Sequence, residues 1–134
     1  MKIVICASMA FAEKITGAQK ELENLGHEIV VPENMERHLE KVFSGSESTQ
    51  EKIKDDLIRR YFEKIKNSDA ILVLNYDKNG TGNYIGGNVF LEIGFAHVSD
   101  KKIFLLNGIP EVSYKDEIVA MQPIILDGNL SLIE

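Results

Sequence analysis

In the 21 residues between Lys78 and Asp100, one side chain is formally charged, that of Glu92. Its surroundings, Val89-Phe90-Leu91-Glu92-Ile93-Gly94-Phe95-Ala96, are apolar on both sides. A carboxylate buried among such residues loses its hydration, so it must be paired, protonated or used in chemistry. The stretch opens with Gly80, Gly82, Gly86 and Gly87, which read as a flexible loop leading into a helix that carries the acid. A glycine loop, a helix start and a lone acid together describe a small-molecule site, with Gly86, Gly87 and Asn88 at its rim. Backbone amides at the helix start and the Asn88 side chain suit an anionic group. Asn88 equally suits the role of helix cap.

Glu92 in such a site can serve as a nucleophile or an electrostatic stabiliser. Breaking a sugar–base bond builds positive charge at the anomeric carbon, which a carboxylate beneath it stabilises or traps covalently. The same acid can also be structural, paired with Lys64, Arg60 or a backbone amide. Other chemistries lack their residues. A phosphoacceptor receiver needs an acidic pair after the first strand and a lysine after the fifth, but the first acid is Glu13 and Leu126-Asp127-Gly128 has no lysine. A flavodoxin needs a hydroxyl-rich phosphate loop, whereas Ala7-Ser8-Met9-Ala10-Phe11-Ala12 has one hydroxyl. No Gly-Lys-Ser/Thr follows the glycines, and Gly80-Thr81-Gly82 is only part of a dinucleotide fingerprint. His27, His38 and His97 are isolated and read as surface or packing residues, so no metal is expected.

The elements that must position this acid emerge from periodicity. Lys2 to Ala7 is a β-branched apolar run that reads as a buried strand, with Ser8 able to cap the next helix. Phe11, Ile15, Ala18, Leu22 and Leu25 keep helical spacing up to Gly26, and His27 to Pro32 is a second strand. Residues 33–45 are polar and mixed, a loop or short helix. Ser48-Thr49-Gln50-Glu51 is a capping box, behind which Ile53, Leu57, Ile58, Tyr61, Phe62 and Ile65 form a core-facing stripe. Asp69 to Tyr76 is the strongest strand. After the Glu92 helix, which ends near Ser99-Asp100 with Lys101-Lys102 as its solvated terminus, come a strand from Lys102 to Asn107, a helix from Pro110 to Met121 and a strand from Pro123 to Leu126.

Strands alternating with helices, and apolar through their centres, predict a parallel sheet covered on both faces. Five such units suit a flavodoxin-like three-layer α/β/α fold of order 2-1-3-4-5, formed by residues 1–134 as one domain. In that order the crevice opens where the winding reverses, at the carboxyl ends of strands 1 and 3. Ala7, Ser8 and Met9 end the first and Asn75, Tyr76 and Asp77 end the third, so Ser8 can hold sugar or phosphate and Asn75 and Asp77 can touch ribose hydroxyls. Tyr84 can stack on a base. Topology and charge pattern choose the same place.

The net charge of −6 and pI near 5.1 argue against a nucleic-acid polymer as partner, though not against one nucleoside or nucleotide. The single cysteine, Cys6, cannot form an internal disulfide, which fits a reducing cytoplasm. Met1-Lys2 before IVICASMAFA looks like a short signal peptide, but its positive region is thin and cleavage would remove the first core strand. No run reaches a membrane span of about 20 apolar residues. The apolar C-terminus, Leu130, Leu132 and Ile133, is available to pack on a neighbour.

Asn67-Ser68-Asp69-Ala70-Ile71-Leu72-Val73, then Phe90-Leu91-Glu92-Ile93-Gly94-Phe95-Ala96 and Lys101-Lys102-Ile103, resemble nucleoside 2-deoxyribosyltransferases and the related deoxynucleoside-monophosphate N-glycosidases. Cys6-Ala7-Ser8-Met9 is similar to the sugar-side turn of the glycosidase branch. The resemblance implies Glu92 as nucleophile, homo-oligomers with shared active sites, a nucleoside or its 5′-monophosphate as substrate, and no cofactor. The chain departs from the family pattern at Tyr61, where an aspartate is usual, with Asp55 and Asp56 one to two turns earlier. It departs also at Val4, where a tyrosine orients the glutamate, and at Gly86, where some transferases carry another acid. Tyr61 is a candidate to orient Glu92 through its phenol, or it simply continues the core stripe. The expectation is therefore cleavage or transfer at an N-glycosidic bond; the alternative is a non-catalytic binding or sensory module that keeps the pocket.

Overall fold

The computed structural model describes residues 1–32 and 47–134, with side chains for all of these except 47–56. The loop-or-helix reading of residues 33–45, His38, the capping-box side chains, Ile53, Asp55 and Asp56 lie outside the described residues. Among the described residues, strands and α-helices alternate as β1 Lys2–Cys6, α1 Ala12–Asn24, β2 Glu28–Val30, α2 Glu47–Lys66, β3 Ala70–Val73, α3 Gly87–Val98, β4 Lys102–Leu105, α4 Lys115–Ala120 and β5 Ile124–Ile125. The five strands form one sheet in the order β2-β1-β3-β4-β5, every neighbouring pair parallel. This is the order expected from the sequence.

Strand pleat divides the core into two layers. Ile3, Ile5, Ala70, Leu72 and Phe104 face Ile15, Ala18 and Leu22 of α1. Val4, Cys6, Ile71, Val73, Ile103 and Leu105 face Tyr61 and Ile65 of α2, Val89, Ile93 and Ala96 of α3, and Ile118 of α4. Central strands are covered on both sides, which is why they read as continuous apolar runs rather than alternating ones. Among the described residues no helix is long and apolar enough to cross a membrane.

Three expectations are corrected in detail. Leu25 is not part of the buried stripe; it is the C-cap of α1 and half exposed. The last helix begins at Lys115 rather than Pro110. Val112 and Tyr114 instead pack into the second layer, and Tyr114 donates its phenol proton to the Ile85 carbonyl. Lys102 opens β4, as the strand expected from Lys102 has it, though β4 ends at Leu105. The C-terminal Leu130 and Ile133 lie in the chain's own first core layer, which leaves Leu132 outside, because a 3₁₀ turn at Leu130–Leu132 folds that segment back.

Candidate active site

The last register pair between β1 and β3 joins Cys6 to Val73, and the chain beyond both ends forms the crevice where the winding reverses. Helix α3 enters from β3 and lays Val89, Ile93 and Ala96 on the sheet. Glu92 stands three residues after Val89, so helical spacing places it at the border of that buried stripe. Its side chain is only partly covered. The Cys6 thiol donates to the Val4 carbonyl at 4.0 Å and stands close enough to the Glu92 carboxyl for each to shift the other's titration. Burial pushes the Glu92 carboxyl up to about 8, and the neighbouring Cys6 thiol opposes that rise. Burial, reinforced by the charge on Glu92, pushes the Cys6 thiol well up too. At neutral pH the pair is therefore a carboxylic acid beside a thiol, and a cation developing nearby would favour the carboxylate.

The loop between β3 and α3 is built rather than flexible, which corrects the reading of its glycines. Lys78 and Thr81 exchange both backbone hydrogen bonds at 2.9 Å. Asn79 and Gly80 between them both have positive φ, +50° and +80°, the left-handed pair of a two-residue hairpin turn. Asp77 Oδ1 then accepts from the Asn83 amide at 2.9 Å, and the Tyr84 amide donates to the Tyr76 carbonyl at 2.8 Å. The result is a fixed hairpin at the crevice mouth.

The expected site residues separate into two groups. Asn75 is fully buried. Its amide donates to the carbonyls of Asn107 and Gly108 at 3.0 Å and accepts from the Asn107 amide at 2.9 Å, so it clamps the loop after β4. Asp77 is exposed but ties the hairpin. Ala7 is buried in the first core layer, and Met9 begins the 3₁₀ turn Met9–Phe11. Tyr61 is buried and donates its phenol proton to the Ile5 carbonyl, pinning α2 to β1.

The residues that remain at the crevice are Ser8, Gly86, Gly87, Asn88 and Glu92. Ser8 caps the 3₁₀ turn by accepting from Ala10 N at 3.3 Å and also accepts from Lys78 Nζ at 2.9 Å. Gly86, not Asn88, is the N-cap of α3, and it offers no side-chain hydrogen bond. Asn88 is an exposed residue of the first turn, beside Gly87. A cleft of about 310 Å³ lies between Gly80–Asn83 and Ile109-Pro110-Glu111. Among the described residues no group of three or more His, Cys, Asp or Glu is placed to hold a metal ion. His27 meets the N-terminal amine at 3.1 Å, and His97 is exposed.

Two residues escaped the sequence reading. Cys6 stands beside Glu92, and strand alternation was its signal, since residues 4 and 6 share a face. Lys78 reaches Ser8 because Asn79-Gly80 turns the chain sharply, and that dipeptide is a strong hairpin signal.

No protein-family model matches the chain, and neither does any curated protein. Solved structures do resemble it, two of them enzymes of stated activity. One is a 2-deoxyribosyltransferase from the psychrotolerant bacterium Bacillus psychrosaccharolyticus, with TM-score 0.53 and 20% identity over 79% of this chain and 72% of that one. The other is the Clostridium botulinum CMP N-glycosidase BcmB, with TM-score 0.55 and 20% identity over 93% of this chain and 88% of that one. The chain thus shares its fold with a 2-deoxyribosyltransferase and with a CMP N-glycosidase.

Proposed function

We propose that this protein cleaves or transfers at the N-glycosidic bond of a nucleoside or its 5′-monophosphate, with Glu92 as the nucleophile. The observation that carries the reading is the carboxyl of Glu92, held at about 8 by burial at the edge of the β1/β3 crevice beside the Cys6 thiol. A structural acid would be satisfied by several donors or a cation. This one is kept short of solvation, which makes its ionised form reactive toward positive charge.

In the reaction, a carboxylate oxygen of Glu92 bonds to the anomeric carbon as the carbon–nitrogen bond breaks. The bonding pair leaves with the base, which takes a proton from solvent. Water then displaces Glu92, leaving its hydroxyl on the sugar; a second base in its place gives transfer. Cys6 acts as a positioning residue, aiming the carboxylate and limiting its rise in pKa. The fold shared with a deoxyribosyltransferase and a CMP N-glycosidase supports the same reading.

One observation favours a binding module instead. Tyr61 stands where the resembled family has an aspartate, and it gives its proton to the Ile5 carbonyl. Release of free base from nucleosides and 5′-monophosphates, wild type beside Glu92→Gln, decides between the two. Release that disappears in the variant supports the enzyme. A ligand-induced rise in Tm without any release, with or without an acceptor base, supports the module.

A further inference from the structure

We infer that Tyr84 is the general acid of the proposed reaction, giving its phenol proton to the base as the bond to the sugar breaks. The inference rests on the proposed function and deepens it by naming the group through which the leaving base receives its proton.

The chain has four tyrosines, and the fold uses them differently. Tyr61 donates its proton to the Ile5 carbonyl and Tyr114 to the Ile85 carbonyl, so both phenols serve the backbone. Tyr76 lies against Phe11 beside the first core layer. Tyr84 is partly buried, and among the described residues nothing accepts its proton. A sheltered hydroxyl without an acceptor is a donor held ready.

Its place at the crevice is fixed. The Tyr84 amide donates to the Tyr76 carbonyl at 2.8 Å, which anchors its backbone at the foot of the hairpin. The Lys78 ammonium lies 4.9 Å from the ring centroid and 2.9 Å from Ser8 Oγ, so one cation links the Tyr84 ring to the lip formed by the end of β1. That ammonium covers one face of the ring and leaves the hydroxyl as the group Tyr84 offers to a ligand. It also offsets the negative charge that builds on the phenol as the proton departs. The phenol oxygen sits over Gly86, the N-cap of α3, where an added Cβ would lie 2.7 Å from it. Gly86 therefore admits the hydroxyl to the start of the helix that carries Glu92. Tyr114 is the other phenol at this corner, close enough to feel charge on Tyr84, but its proton is committed to Ile85.

Six residues of helix separate Gly86 from Glu92, a rise of about 9 Å. Helical side chains lean toward the N-terminus, which brings the carboxyl back toward the phenol. An acid that protonates a glycosidic oxygen directly stands about 5 Å from its nucleophile. A nucleobase instead takes its proton on a ring nitrogen or carbonyl oxygen beyond the bond that breaks, so a wider pair is needed. As a Glu92 oxygen bonds to the anomeric carbon, the carbon–nitrogen pair goes to the base and the phenol proton to a base heteroatom. The water that then displaces Glu92 returns a proton to the phenolate and restores the acid.

Leaving groups that differ in their need for a proton test the assignment. A pyridinium N-glycoside of ribose or 2-deoxyribose releases a neutral pyridine and takes no proton, whereas ordinary nucleosides and their 5′-monophosphates release a base that must take one. Tyr84→Phe keeps the ring beside Lys78. It should lower kcat/KM for ordinary substrates by roughly 10²-fold or more and for the pyridinium glycoside by less than about threefold. Gly86→Ala, which displaces the hydroxyl, should show the same selectivity, whereas Glu92→Gln should slow both classes. Thermal melts verify that each variant is folded. Equal slowing of the two classes in Tyr84→Phe, or slowing of neither, overturns the acid and keeps the reaction. Wild type that releases pyridine but no ordinary base keeps Glu92 and removes Tyr84 from the chemistry. Release from neither class by wild type removes the reaction and this inference with it.

Discussion

Asn75 and Glu92 both bring a polar side chain to the carboxyl edge of the same sheet, and the fold treats them oppositely. Asn75 is completely enclosed, and its amide makes three hydrogen bonds to the backbone of Asn107 and Gly108; Asn107 answers with a bond from its own amide to the Asn75 carbonyl at 2.9 Å. Glu92 lies nearby in the topology with a thiol for a partner, and its proton is retained to about 8. A fully satisfied buried amide specifies structure, because every alternative leaves a polar group orphaned. A partly desolvated acid with one weak donor holds free energy that a developing cation can release. The contrast separates the clamp from the candidate chemistry more clearly than residue type does.

Substitution at the two positions should break the comparison in different currencies. Glu92→Gln should lower base release by roughly 10³-fold or more, the scale of a lost nucleophile, while thermal and urea melts show a folded protein. Asn75→Ala should do the reverse: about 3 kcal/mol less stable in urea, because several buried groups lose their partners, yet with an unmoved pH–rate midpoint in the fraction that stays folded. A large loss of stability in Glu92→Gln at neutral pH would place Glu92 in the structural class with Asn75.

The pH dependence sharpens the same point. The folded Glu92 carboxyl titrates at about 8, against an ordinary value of 4.5. Between those values the folded chain keeps a proton that the unfolded chain has released, so this group makes stability fall as pH rises. Wild type should therefore lose stability relative to Glu92→Gln across that window and level off above it, as read by urea melts at pH 5, 7 and 9. Because the ionised form attacks, kcat/KM should rise with pH and bend at about 8. The smallest effect is expected at Cys6. Its thiol lowers the Glu92 value, so Cys6→Ala should move the bend upward and reduce kcat/KM at pH 7 by roughly threefold to tenfold. Cys6→Ser keeps a donor and should stay nearer wild type in its pH profile.

Much of the architecture was legible because burial on two faces leaves a one-dimensional trace. The runs Ile3-Val4-Ile5-Cys6 and Ala70-Ile71-Leu72-Val73 are apolar without alternation, and both are central strands. The α3 helix and its isolated acid were legible for the same reason. Asn75 was misread, because a polar residue at a strand end looks the same whether it faces a ligand or a neighbouring loop. The C-terminal Leu130 and Ile133 were misread because an apolar segment does not state which surface it covers.

What the sequence determined by itself was the alternation of strand and helix, the parallel order, and one acid set in apolar surroundings at the winding reversal. These depend on local periodicity and on the rules of connection between neighbouring elements. Only the tertiary structure decided the partners: the Cys6 thiol for Glu92, the Ile5 carbonyl for Tyr61, and Ser8 for Lys78. Each joins side chains far apart along the chain, and their meeting is set by sheet register and by a two-residue turn. A change of one residue in register would point Cys6 to the opposite layer, leaving every local pattern intact and the pair undone.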